Sequence, residues 1–303
     1  MKLIHLMKSL IKVPIGFLCV VFVFSCKAQN IQSVDFTSEF SFTKGIEGPA
    51  VDAEGNLYAV NFEKEGTIGI VDSKGNGSVF VTLPDGSTGN GIRFSDGGSM
   101  FIADYSGHNV LLVKKGSRKV SVWANNPDMS QPNDLAIAPN GTIYLSDPNW
   151  SESTGRIWMV GATQKIILLE ENMGTTNGIE VSPNGKKLYV NESVQRNVWE
   201  YDIDADGKVS NKSLFMTFDD FGMDGMRCDE KGNLYITRYD KGAVLIVSPD
   251  KKILKEVQLK GKKPSNITFG GADGKTCFVT MADRGCFERF QALNAGAFFS
   301  RIH

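Results

Sequence analysis

The sequence predicts an all-β fold: a six-bladed β-propeller with four-stranded blades, its ring closed by an N-terminal strand. An aromatic residue preceded by a short turn recurs at Tyr58, Phe101, Tyr144, Tyr189, Tyr235 and Phe278, at separations of 43, 43, 45, 46 and 43 residues. A repeat in the low forties with four short strands per unit is propeller spacing, because one small twisted sheet cannot bury its faces alone. The 32 glycines fall mostly in turn clusters between short apolar runs, which is strand-and-turn punctuation. At 303 residues, 41% hydrophobic, the chain can bury a full core.

Stretch 131–147 is the clearest copy of the repeat. Asn133 opens an alternating strand, Pro139-Asn140-Gly141 reverses the chain, and a second strand returns to Asp147. The same pattern places blade one at 49–52, 57–61, 67–71 and 79–83, and blade two at 92–95, 100–104, 110–114 and 120–123. Blade three falls at 135–138, 143–147, 156–160 and 165–169; blade four at 179–182, 188–192, 198–202 and 214–218. Blade five takes 226–229, 234–238, 243–247 and 253–259. Blade six shows only 267–269, 277–281 and 286–290, so its outer strand is expected from 34–42, which would also remove an exposed sheet edge.

Residues 1–26 read as an export signal: Lys2, Lys8 and Lys12 precede an apolar run, 13–24, too short to span a bilayer as a mature helix. The run ends in Phe24-Ser25-Cys26, which resembles the lipobox of bacterial lipoproteins and makes Cys26 the candidate lipidated residue. The expectation is therefore a bacterial periplasmic or cell-envelope lipoprotein with a single domain over 27–303, touching the membrane only through its anchor. Without the three signal lysines the chain holds 30 bases against 34 acids. It has no basic stripe, which speaks against a nucleic-acid partner. Cys228, Cys277 and Cys286 sit among strand-like residues and read as buried small hydrophobes.

Counting back from each aromatic mark reaches a polar residue: Glu47, Asn90, Asn133 and Asp224 at 11 residues, Asn177 at 12 and Ser265 at 13. The innermost strands of a propeller line its channel, so these positions converge on one axis at one face. Two carboxylates meeting there with amide oxygens need a cation, since like charges at close range raise each other's pKa. A set of Glu47, Asn133, Asn177 and Asp224, without His or Cys, suits one hard divalent ion: Ca²⁺ first, then Mg²⁺, with Mn²⁺ or Zn²⁺ as alternatives.

Glu47-Gly48-Pro49, Asn133-Asp134, Asn177-Gly178, Asp224-Gly225-Met226 and the run from Asn266 to Gly271 together resemble the motifs of the gluconolactonase/regucalcin (senescence marker protein) family of six-bladed propellers. The resemblance covers essentially the whole chain after the signal. It implies one divalent metal bound by Glu47, Asn177 and Asp224, with Asn133 completing the site or touching substrate, and hydrolysis of a sugar lactone or related cyclic ester. One position departs: family members acting on aldonolactones commonly carry Arg two residues before the third-blade Asn, where this chain has Gln131. Gln keeps hydrogen-bonding capacity and lacks the cationic fork.

In the mechanism this implies, the metal polarises the lactone carbonyl and holds water, Asp224 is the general base, and Glu47 balances charge. Gln131, Asn133 and Asn90 are candidate substrate contacts. Asp104, Asp147 and Trp150, at or just after the ends of second strands, are secondary ones; for the two acids, capping of their own loops is the equal alternative. Two rival functions remain: a phosphotriesterase- or arylesterase-like hydrolase on the same scaffold, and a non-catalytic carbohydrate- or protein-binding propeller with a structural ion.

Overall fold

The computed structural model describes residues 32–303; the signal-like segment and Cys26 lie outside them. Six four-stranded antiparallel sheets form the ring. Blade three runs from Leu135–Ile137 at the channel through Ile143–Asn149 and Thr154–Val160 to Ile166–Met173 at the rim. The other innermost strands are Ala50–Val51, Gly89–Phe94, Thr176–Val181, Met226–Cys228 and Pro264–Gly270.

The blades are held together by six apolar clusters, one at each seam between neighbours. Several register aromatics bridge these seams: the Tyr58 ring lies 5.3 Å from Phe94 of blade two, Tyr235 lies 4.9 Å from Phe269 of blade six, and the Tyr144 hydroxyl donates to Gly207 O of blade four at 2.8 Å. The repeat is therefore conspicuous in sequence because every copy must fill the same wedge between twisted sheets. Cys228, Cys277 and Cys286 are buried free thiols, as small hydrophobes would be.

Blades two, four and six begin their innermost strands three residues earlier than predicted, at Gly89, Thr176 and Pro264. In each, pairing continues across a register shift: Gly89 faces Asp104 while Ile92 faces Ile102, and Thr176 faces Glu192 while Ile179 faces Val190. The extra residue of such a bulge re-aims side chains toward the axis, and Asn90 and Asn177 sit inside these bulges.

Ring closure follows the expectation in position and differs in regularity. Only Val34–Asp35 is strand, pairing antiparallel with Cys286–Gln291. The chain then follows blade six through single bonds, Phe36 N–H to Phe287 O and Phe42 N–H to Gly285 O, both 2.9 Å. Phe40 takes a φ of 58° between them, and this kink turns the chain from blade six toward blade one. Phe42 then wedges edge-on against Phe62 and Phe287, at 5.0 and 5.5 Å. The helix Ala297–Ile302 was not foreseen; with residues from the innermost strands of all six blades it lines a pocket at the end of the channel opposite the blade-entry residues.

Candidate cation and substrate site

Five of the six blade-entry residues, Glu47, Asn90, Asn133, Asn177 and Asp224, line one cavity of about 370 Å³, with Trp150 among its walls. The sixth, Ser265, is too short to reach the axis: its hydroxyl bonds Ile46 O at 2.7 Å and Thr280 Oγ1 at 2.8 Å. The tight ring depends on the residue that follows each entry position. A Cβ at Gly48, where φ is +60°, would lie 2.0 Å from Asn90 O, and one at Gly178 would lie 2.3 Å from Asp224 O. Glycine there lets the next blade's entry residue come into contact.

In blades three and six that following position holds Asp134 and Asn266, which form a second polar layer. Asn266 Nδ2 donates to Glu47 Oε2 at 2.9 Å and to Asp134 Oδ2 at 3.3 Å. Deeper in the channel, Arg93 Nη1 pairs with Asp134 Oδ1 at 2.9 Å, Arg227 Nη1 lies 3.5 Å from Asp134 Oδ2, and Arg93 Nη2 lies 3.6 Å from Glu180 Oε2. Arg227 Nη1 also donates to Asn266 Oδ1 at 3.2 Å. The predicted set does not contain this column. Its members stand one and three residues after the entry positions, and that second spacing could have found them.

The donor geometry suits a cation. Asn177 Nδ2 is held by Ser193 Oγ at 3.0 Å, and the buried Oδ1 atoms of Asn177 and Asn133 have no hydrogen-bond partner among the described residues. Buried amide oxygens left without donors are costly unless something positive meets them. Glu47 accepts from Gly48 N–H and from Asn266. Burial, then the neighbouring Asp134 charge, pushes its pKa up to about 8. Burial, then Glu47, holds Asp224 well above the usual carboxylate range. In the absence of a cation the pair takes up protons, and the oxygen-only donor set would suit a hard divalent ion.

A pH dependence follows. With both pKa values raised on folding, the folded chain binds more protons than the unfolded chain above about pH 4.5, the ordinary glutamate value. Stability therefore falls as pH rises, across the window from about 4.5 to 8 for Glu47. The melting temperature of chelated protein is expected to drop between pH 5 and 8, with a shallower drop in Glu47→Gln; equal slopes in the two proteins would contradict this assignment.

The remaining predicted residues lie elsewhere. Asp104 is fully buried and accepts from Ser87, Asn109 and the Thr88 and Gly107 N–H groups. Asp147, 1% exposed, accepts from Ser130 N–H, Gln131 N–H and Trp158 Nε1. Neither lines the cavity; both carboxylates are taken up by loop capping, the alternative that stood beside substrate contact for them. Gln131 also lies off the wall, its Oε1 3.5 Å from Trp150 N, bracing the loop that carries Trp150. Ser193, Gly222, Met223, Tyr239 and Asp240 complete the cavity; they sit in loops, where the repeat gives no register.

Residues 45–283, well over half of the chain, match the SMP-30/Gluconolactonase/LRE-like region. The chain belongs to this family. It is 28% identical over 218 residues to a gluconolactonase of Zymomonas mobilis, a match covering 64% of this chain and 60% of that relative's length. It is 25% identical over 289 residues to the diisopropyl-fluorophosphatase of Loligo vulgaris, covering 84% of this chain and 91% of that one. A solved structure titled a calcium-binding protein, regucalcin, from Agrobacterium tumefaciens superposes with a TM-score of 0.75 at 21% identity, over 87% of this chain and 97% of that one. The family match and this superposition agree with the fold read from the aromatic repeat.

Proposed function

We propose that this family member is a divalent-cation-dependent lactonase, with Glu47, Asn133, Asn177 and Asp224 holding the ion and Ca²⁺ as the first candidate. The observation that carries this is the meeting of two proton-hungry carboxylates with two unpartnered amide oxygens in one cavity. The names of the gluconolactonase relative and the calcium-binding structural neighbour support the same reading. When bound, the ion supplies Lewis-acid polarisation of the carbonyl and lowers the pKa of water. Asp224 takes the proton of the attacking water, and that proton passes to the ring oxygen as the acyl C–O bond breaks. Glu47, fixed by Gly48 N–H and Asn266, keeps its charge turned to the site. Asn90, anchored through Nδ2 to Asn133 O at 3.0 Å, borders the space left for substrate.

The long match to the diisopropyl-fluorophosphatase favours phosphotriester hydrolysis as a second reading. Export and lipidation at Cys26 belong to the same proposal and rest on residues 1–26 alone. The test is a pH-indicator hydrolysis screen of lactones and aryl phosphotriesters with chelator and metal add-back. The expected result is lactone turnover that disappears on chelation and returns with Ca²⁺; triester preference would favour the second reading, and turnover indifferent to chelation would remove the cation.

A further inference from the structure

We propose that the substrate is an uncharged lactone bearing an apolar substituent, which lies against Trp150 and Tyr239. This deepens the lactonase reading and rests on it for the reacting group. The walls carry the acids Glu47, Asp224 and Asp240, and among the described residues no Lys or Arg lines the cavity.

The nearby cations are already committed. Arg238 pairs with Asp220 at 2.7 Å and stacks on Phe218 at 3.7 Å. Arg227 belongs to the column beneath, donating to Met226 O at 2.8 Å and Asn266 Oδ1 at 3.2 Å. Lys263 lies 3.8 Å from Asp240 and 5.5 Å from the Tyr239 ring centroid. Glu47 and Asp224 balance one divalent ion and Lys263 offsets Asp240, so the cavity has no positive charge left over for an anionic substrate. A substrate with a phosphate, sulfonate or carboxylate on its far end would find no fork to receive it.

Beside the polar Asn90 and Ser193, the wall carries two aromatic residues, Trp150 and Tyr239. Trp150 is 39% exposed at the cavity, so much of its ring is not consumed by packing. Tyr239 stands on the same cavity wall beside Asp224 and Asp240. An aromatic pair between acids accepts an alkyl or deoxy flank better than a fully hydroxylated one.

The test compares a δ-lactone carrying an alkyl chain beside the ring oxygen with the same ring ending in a carboxylate, using the calcium-loaded protein. Hydrolysis is read as kcat/KM, and binding is read by calorimetry on the two non-hydrolysable lactams. The alkyl ring is expected to be favoured at least about tenfold in both measurements. Trp150→Ala should raise KM for the alkyl lactone with kcat kept, while Trp150→Phe restores it. Equal or tighter binding of the carboxylate lactam, binding of neither lactam, or an unchanged KM in Trp150→Ala would overturn the proposal. Lactam binding in the expected order without lactone turnover would retain this ligand class and sink the hydrolytic reading.

Discussion

Asp224→Asn is expected to lower kcat by about 10²- to 10⁴-fold, the range for losing a positioned general base. The amide keeps the shape and one oxygen donor, so the site stays assembled at saturating cation while the proton acceptor disappears. Glu47→Gln should behave differently. It removes charge from a side chain placed as ligand, so its loss of activity should be largely recovered at high cation concentration. The decisive measurement is kcat against cation concentration for both variants. Near wild-type kcat in Asp224→Asn would remove Asp224 from the proton transfer, and equal rescue of both variants would reduce it to a ligand.

The ring of blade-entry residues is legible in the sequence because a propeller repeats its geometry. The aromatic marks fill identical wedges, and an offset of 11 to 13 residues back from them reaches Glu47, Asn90, Asn133, Asn177 and Asp224 at one mouth of the channel. The offset locates a backbone position and leaves side-chain direction to local chemistry. Ser265 satisfies the offset, yet its hydroxyl is captured by Ile46 O and Thr280 Oγ1. Asp104 and Asp147 end their strands at the same rim, yet unsatisfied N–H groups of their own loops claim the carboxylates first. Capping wins because a carboxylate accepting several backbone bonds gains more than one left facing water. Tyr239 and Met223 were unreadable for another reason: loop residues have no period, and only the closed ring brings them to the cavity. The short helix Ala297–Ile302 carries no caps that would announce it; it forms where the chain meets the far end of the channel.

The column beneath the site carries the largest expected stability effect, through Arg227→Met. The guanidinium is buried, its side chain 8% exposed, and serves Met226 O, Asn266 Oδ1, Pro49 O and the Asp134 carboxylate together. Burial, then the Arg93 charge, lowers its pKa to about 10, so at neutral pH it still supplies a full positive charge. Without it, Glu47, Asp134 and Glu180 face Arg93 alone. Breaking a buried charge network by removing one partner costs about 3–5 kcal/mol, because the other charge stays behind without water. A drop of that size in urea stability is expected, with weaker cation binding because Asn266, which donates to Glu47, loses one of the bonds that orient it. Adding Asp134→Asn to Arg227→Met should recover part of the loss, as coupled groups in one network do. If the single variant lost less than about 1 kcal/mol, the value for a solvated surface pair, Arg227 would not be the charge that holds the second layer together. A single loss of the expected size with no recovery in the double variant would assign Arg227's contribution to packing against Pro49 and Met226 instead of to charge.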